Sequence, residues 1–306
     1  MLTTTTVALT LAAAVLAVLA LVMAYVLGWA NRAFHVKVDP KVEQIIEALP
    51  GANCGGCGYV GCAEYAAAVA RDEAVVNLCA PGGAGVAQAL AGIMGIEVDE
   101  SFPYRAVVHC SANLDQRLQR AEYTGEQTCF AANLVAGVQG CTYGCLGLGD
   151  CERACKYGAI QIINGLSTID YDKCIGCKAC AGTCPRNIIT IVPFKAQHML
   201  VVACSNQDSA GDVRAVCMVG CLGCRACTKV APDLISIQGA LPEINYDNYD
   251  PTDDILQKVL EKCPRKRLTF VGRPTEKDLA AVAEEELPES IQADFKTTVD
   301  ETEWRG

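Results

Sequence analysis

The chain has 306 residues, a formal charge of −10 and twenty cysteines against three histidines. That charge speaks against nucleic acid as a partner, and the length allows two ordinary domains or several small ones. With aromatics at 6%, the cysteines point to small domains built around bound groups rather than large apolar layers.

Residues 7–29 are apolar apart from Thr10, long enough to span a bilayer once as a helix. A signal peptide would need a basic start and a shorter apolar core, whereas this N-terminus reads Met-Leu-Thr-Thr-Thr-Thr. Arg32, Lys37 and Lys41 follow the span. The positive-inside rule therefore places the rest of the chain on the cytoplasmic side of the inner membrane, where thiols stay reduced. Residues 1–30 are expected to be the anchor.

Asp39-Pro40 reads as an N-cap with proline at the first helical position. Val42, Ile45, Ile46 and Leu49 then recur at helical spacing until Pro50-Gly51. Cys54-x2-Cys57-x4-Cys62-x16-Cys79 follows, interleaved with glycines that let a backbone wrap tightly and aim N–H groups at sulfur. Cys62 is predicted to open a helix to about Arg71. Residues 31–96 thus read as a separate domain in which Cys54, Cys57, Cys62 and Cys79 hold one [4Fe–4S] cluster. Pro81–Gly85 lacks the Gly-Lys-Ser/Thr ending of a phosphate loop and reads as a turn before a helix over Val86–Met94. No dinucleotide fingerprint occurs, so no nicotinamide or flavin site is expected in this chain. Residues 97–136 are read as a connecting region.

Cys174-x2-Cys177-x2-Cys180-x3-Cys184-Pro185 is the bacterial ferredoxin run, in which three thiolates hold one cubane and the fourth crosses to its neighbour. Cys141-x3-Cys145-x5-Cys151-x3-Cys155 precedes it. A disulfide framework or structural zinc fits less well: three cysteines come per knuckle, a proline follows the last, and histidines are scarce. Crossover gives two clusters, one on Cys141, Cys145, Cys151 and Cys184, the other on Cys155, Cys174, Cys177 and Cys180. In the first set Leu148 occupies the middle ligand position, and Cys141 is expected to substitute from outside.

The endings Cys155–Ile162, Cys184–Ile191 and Cys263–Phe270 repeat one pattern, a cysteine turn followed by a short strand, and Ala231–Ile237 is a copy one residue shorter. Two tandem ferredoxin modules follow, a two-cluster one over 137–196 and a second over 197–272. The second has lost ligands. Ala231 stands at its crossover position, and Tyr249 aligns with Cys174. A helix is predicted over Thr252–Lys262, with Ile255, Val259 and Leu260 as its apolar stripe. One cluster should remain, on Cys221, Cys224, Cys227 and Cys263, giving four [4Fe–4S] clusters in all.

Cys110, Cys129, Cys204 and Cys217 are left over and read as buried thiols, although Cys217 precedes Cys221 as Cys141 precedes Cys145. Residues 273–306, with ten acids against three bases after residue 275, read as a solvated acidic tail. The fold class is α+β: one transmembrane helix, a small four-iron domain and tandem ferredoxin-like modules.

The order of parts, an N-terminal span, GANCGGCGYVGC with Cys79, then GCTYGCLGLGDCERAC and KCIGCKACAGTCP, resembles the B subunit of the Rnf (Rsx) ion-translocating oxidoreductases over roughly residues 1–270. The resemblance implies an electron-transfer subunit of a translocase complex. Its electrons would come from soluble ferredoxin, and its partners would be a flavin- and NAD-binding subunit and integral membrane subunits that move Na+ or H+. Longer family members carry two clusters in the second module. No nucleophile, general base or oxyanion donor set stands out, so no substrate-bond chemistry is expected of the chain itself. The alternative function is a redox-control module that reduces a regulatory or corrinoid protein.

Overall fold

The computed structural model describes residues 2–34, 39–97, 102–273 and 290–298, in two compact units, residues 1–44 and 45–306. In the first unit, helix α1 (Leu2–Ala33) runs beyond the predicted span at both ends. Its residues 13–33 are long and apolar enough to cross a membrane. Large apolar side chains such as Leu16 and Leu21 are 67% and 72% exposed, which is compatible with membrane association.

Helix α2 (Pro40–Ala48) begins where the Asp39-Pro40 pair predicts, with Lys41 N–H donating to Asp39 Oδ1 at 2.9 Å. Helix α3 (Cys62–Ala70) and helix α4 (Gly83–Met94) follow. The small core here is Ile45, Leu49, Tyr65, Val69 and Leu90, all buried. Gly95, left-handed at φ 69°, ends α4.

Two modules of the same plan come next. In the first, strand β1 (Tyr104–Val108), helix α5 (Cys129–Leu134), helix α6 (Asp150–Ala154), strands β2 (Ile160–Ile163) and β3 (Leu166–Ile169), helix α7 (Ala179–Thr183) and strand β4 (Ile189–Pro193) follow in order. β2 and β3 form a hairpin, and β1 pairs antiparallel with β4, with Ala106 opposite Ile191. β1 lies in the stretch read as a connecting region; Ala106 and Val107, at the centre of Tyr-Arg-Ala-Val-Val, are buried in the core.

In the second module, strand β5 (His198–Val202), helices α8 (Ala210–Val216) and α9 (Ala226–Val230), strands β6 (Ile235–Gln238) and β7 (Leu241–Ile244), helix α10 (Ile255–Lys262) and strand β8 (Leu268–Gly272) repeat the scheme. β6 pairs with β7 and β5 with β8. Where the sequence reading expects a second cluster to have been lost, the module is solid core. Ala231, Tyr249, Leu256 and Val259 pack with Met199, Leu200 and Leu268. α10 starts at Ile255 rather than Thr252, and its most buried residues are Leu256 and Val259.

Residues 290–298 differ from the expected solvated tail. Ala293 and Phe295 are buried against Leu146, Leu148 and Cys129. Gly165 N–H donates to the Ile291 carbonyl at 2.7 Å and Ala293 N–H to the Gly147 carbonyl at 3.1 Å. Ala293 and Phe295 stand two apart along the segment, a short apolar stripe hidden in an acidic composition. Residues 274–289 and 299–306 of that tail lie outside the described residues.

Candidate iron–sulfur sites

The Cys54–Cys79 segment folds as a glycine-rich loop closed by α3. Asn53 Oδ1 accepts the N–H of Cys62 at 2.8 Å, capping the start of that helix. Cys79 sits within electrostatic reach of Cys54, Cys57 and Cys62, and burial followed by those thiols raises its pKa. The four predicted residues are therefore gathered. The loop also touches the next set: a Cβ on Gly56 would lie 3.2 Å from the carbonyl oxygen of Cys177.

Cys155, Cys174, Cys177 and Cys180 line one cavity, as the crossover pattern predicts. Backbone N–H groups point at its sulfurs: Ala106 to Cys174 at 3.5 Å and Ala159 to Cys155 at 3.4 Å. Burial, then the neighbouring thiols, push the Cys180 thiol up to about 12. The Cys-Ile-Gly-Cys turn needs its glycine. Gly176 has φ +71°, and a Cβ there would meet the Tyr104 carbonyl oxygen at 2.4 Å.

The neighbouring cavity is lined by Cys145, Cys151, Cys184 and Cys129. Here the geometry departs from expectation: Cys141 is not in this wall, and Cys129 holds the corner left by Leu148. Leu148 is fully buried, turned into the core beneath Phe295. Asp150 brings Cys129 in, its two carboxylate oxygens accepting the N–H groups of Cys129 and Phe130 at 3.0 Å each. Arg153 pairs with Asp150 and also donates to the Leu148 carbonyl at 3.0 Å. The Gly-Asp-Cys sequence thus caps α5 from outside. Its acidic residue is the available signal, but nothing nearby in sequence says which helix it caps. Burial pushes the Cys145 thiol up to about 12 and Cys151 to about 11, with Ser167 Oγ 3.3 Å from Cys151 Sγ.

In the second module Cys221, Cys224, Cys227 and Cys263 lie within electrostatic reach of one another, and Arg267 N–H donates to Cys263 Sγ at 3.2 Å. Lys178 and Arg225, at φ 66° and 56°, take the same left-handed turn before the third cysteine of each triad. Cys224 is exposed. Cys141 lines a different cavity, together with Cys110, Cys204 and Cys217.

All twenty cysteines are free thiols. Among the described residues no three Cys, His, Asp or Glu side chains converge on a single ion. A cubane sets its iron and sulfide between its thiolates and so needs them farther apart than one zinc ion does. Four thiols around a void, with N–H groups aimed at sulfur, fit that group.

Tandem ferredoxin-like modules beside a glycine-looped four-cysteine domain define an iron–sulfur electron-transfer protein. A family model for a putative Fe–S cluster domain matches residues 49–81, and one for a 4Fe–4S binding domain matches residues 167–190. The B subunit of the Na+-translocating ferredoxin:NAD+ oxidoreductase complex of Acetobacterium woodii is 37% identical over 253 residues, which is 82% of this chain and 74% of that protein. The B subunit of the ion-translocating oxidoreductase complex of Methanosarcina acetivorans is 36% identical over 76% of this chain and 89% of its own length. Its counterpart in the proton-translocating ferredoxin:NAD+ oxidoreductase complex of Clostridium ljungdahlii is 39% identical over 68% of this chain and 73% of its own length. The chain belongs to the B-subunit family of the Rnf-type ion-translocating oxidoreductase complexes.

Proposed function

We propose that this chain is a membrane-anchored wire that takes low-potential electrons from reduced ferredoxin and passes them, one at a time, to partner subunits of an Rnf-like complex. The partners are a flavin- and NAD-binding subunit and integral membrane subunits, and the soluble part faces the cytoplasm. Four ligand sets carry the wire: Cys54, Cys57, Cys62 and Cys79; Cys155, Cys174, Cys177 and Cys180; Cys129, Cys145, Cys151 and Cys184; and Cys221, Cys224, Cys227 and Cys263. Bound [4Fe–4S] clusters supply the one-electron chemistry. The residues hold them in a dry, N–H-lined setting that tunes potential.

The observation that carries this reading is the contact between successive sets in the first three. The Gly56 loop lies against the Cys177 backbone, and Cys180 senses the charge of Cys151. The test is anaerobic purification with iron and sulfide analysis, then titration with reduced ferredoxin followed by low-temperature EPR. Cubane signals that appear on titration support the wire. A folded chain that holds no iron and sulfide, or cubanes that ferredoxin cannot reduce, would sink it.

A further inference from the structure

Sixteen cysteines fill those four sets, and the remaining four do not scatter. Cys110, Cys141, Cys204 and Cys217 line one cavity between the two modules. Cys141 and Cys217 are buried there with Ala112 and Val216, and Cys110 packs against them.

The four come in two equivalent pairs. Cys110 lies two residues beyond the end of β1, and Cys204 two residues beyond the end of β5, the matching strand of the second module. Cys141 precedes Cys145 by four positions, and Cys217 precedes Cys221 by four. Each module thus supplies half of a site, two thiols that could not hold a cluster alone. Module-to-module pairing brings the halves together: Leu118 N–H donates to the Val216 carbonyl and Met218 N–H to that of Gln116, at 3.0 and 2.9 Å.

The sulfurs are dressed as in the other sets. Cys221 N–H donates to Cys204 Sγ at 3.3 Å, and Asn206 Nδ2, itself 3% exposed, donates to Cys141 Sγ at 3.4 Å. The backbone amides of Tyr143 and Val219, equivalent positions in the two halves, oppose the rise that burial gives the Cys141 and Cys217 thiols. Arg117 lines the same cavity at 1% exposure, with its Nε atom lacking a hydrogen-bond partner among the described residues. Its Nη atoms donate to the Cys145 and Gly165 carbonyls, but among the described residues no carboxylate pairs with it; a buried cation favours an anion nearby, and a cubane held by four thiolates carries net negative charge.

We propose that Cys110, Cys141, Cys204 and Cys217 hold a fifth [4Fe–4S] cluster at the junction of the two modules. This rests on the cluster reading of the other four sets and completes it. On one side Cys110 is within electrostatic reach of Cys145. On the other, Cys204 accepts the N–H of Cys221. An electron arriving from the Cys145 set oxidises that set by one and leaves by reducing the Cys221 set by one, with no proton or bond exchanged.

The test is stoichiometry on the full chain, purified anaerobically, with native mass spectrometry alongside iron and acid-labile sulfide analysis. The site predicts about 20 iron and 20 sulfide per chain, against about 16 for four cubanes. Cys217→Ala and Cys110→Ala should each remove about four irons, while the EPR signals of the other sets persist. The double variant Cys217→Ala/Cys224→Ala should lose about eight. A wild-type count near 16 that Cys217→Ala leaves unchanged would overturn the junction cluster and spare the wire. If either alanine variant fails to fold, the wild-type count decides by itself. An iron-free wild-type chain would end the cluster reading as a whole, this site included.

Discussion

The backbone N–H of Leu200 donates to the phenol oxygen of Tyr249 at 3.0 Å. At the matching place in the first module, the N–H of Ala106 donates to Cys174 Sγ at 3.5 Å. Leu200 and Ala106 are each the third residue of their strand, and Tyr249 aligns with Cys174. Where the first module aims this amide at a thiol, the second gives it a neutral acceptor. Burial raises the Tyr249 pKa, so the acceptor is a neutral phenol.

Tyr249→Phe should therefore lower stability by about 1–3 kcal/mol, the cost of an orphaned buried donor, read as a shift in a chemical denaturation midpoint. Tyr249→Cys should not add iron, because Ala231, Leu256 and Val259 fill the space a cubane would need. A gain of about four irons in that variant would show the core to be more yielding than its packing indicates.

Asp150 is the residue that presents Cys129. Asp150→Ala frees two N–H groups at the start of α5 and should cost ~1–3 kcal/mol. It should also make the Cys145, Cys151 and Cys184 set lose iron fastest under a chelator. Asp150→Asn keeps one carbonyl acceptor and should fall between. Cys129→Ala should remove the EPR signal of that set, and a variant indistinguishable from wild type would return the corner to another ligand.

Gly147 adopts φ +74°, and a Cβ there would fall 2.1 Å from the Gly165 carbonyl oxygen. Gly147→Ala combines a left-handed backbone with a clash against main chain, at a cost of at least ~1–3 kcal/mol. Thermal unfolding of the loaded chain should show it. Gly182→Ala, where nothing lies within 4 Å of the added carbon, is the matched control and should change little.

Phe295→Ala empties a fully buried position over Leu148 and Cys129 and should cost about 3–5 kcal/mol. It also thins the cover of that cavity, so bleaching of the visible absorbance in air should speed up relative to wild type. Unchanged bleaching would mean that residues 290–298 do not shield the site.

The 4Fe–4S binding domain over residues 167–190 is legible in the sequence because its cysteines are local: Cys174, Cys177 and Cys180 sit three apart and Cys184-Pro185 closes the run. The repeat that aligns Tyr249 with Cys174 is legible too, and the structure packs Ala231 and Tyr249 together in the core. The place of Cys129 in the wall of the Cys145 cavity is not, because it stands sixteen residues upstream of Cys145 and arrives through a cap that only folding reveals. Cys110 and Cys204 carry no local signal, because the feature they share is a place beyond paired strands. Pairing of β1 with β4 joins residues some 85 positions apart, a relation no spacing rule carries. In the tail, charge outweighs the two apolar side chains that fold back.

Gly56 lends the molecule a throttle. Electron tunnelling weakens exponentially with the gap between centres, and at this crossing two loops meet main chain to main chain because one of them carries no side chain. A methyl group there would sit tightly against the Cys177 carbonyl oxygen, at 3.2 Å, and press the loops apart. Current through the whole chain could then fall with every thiolate still in place.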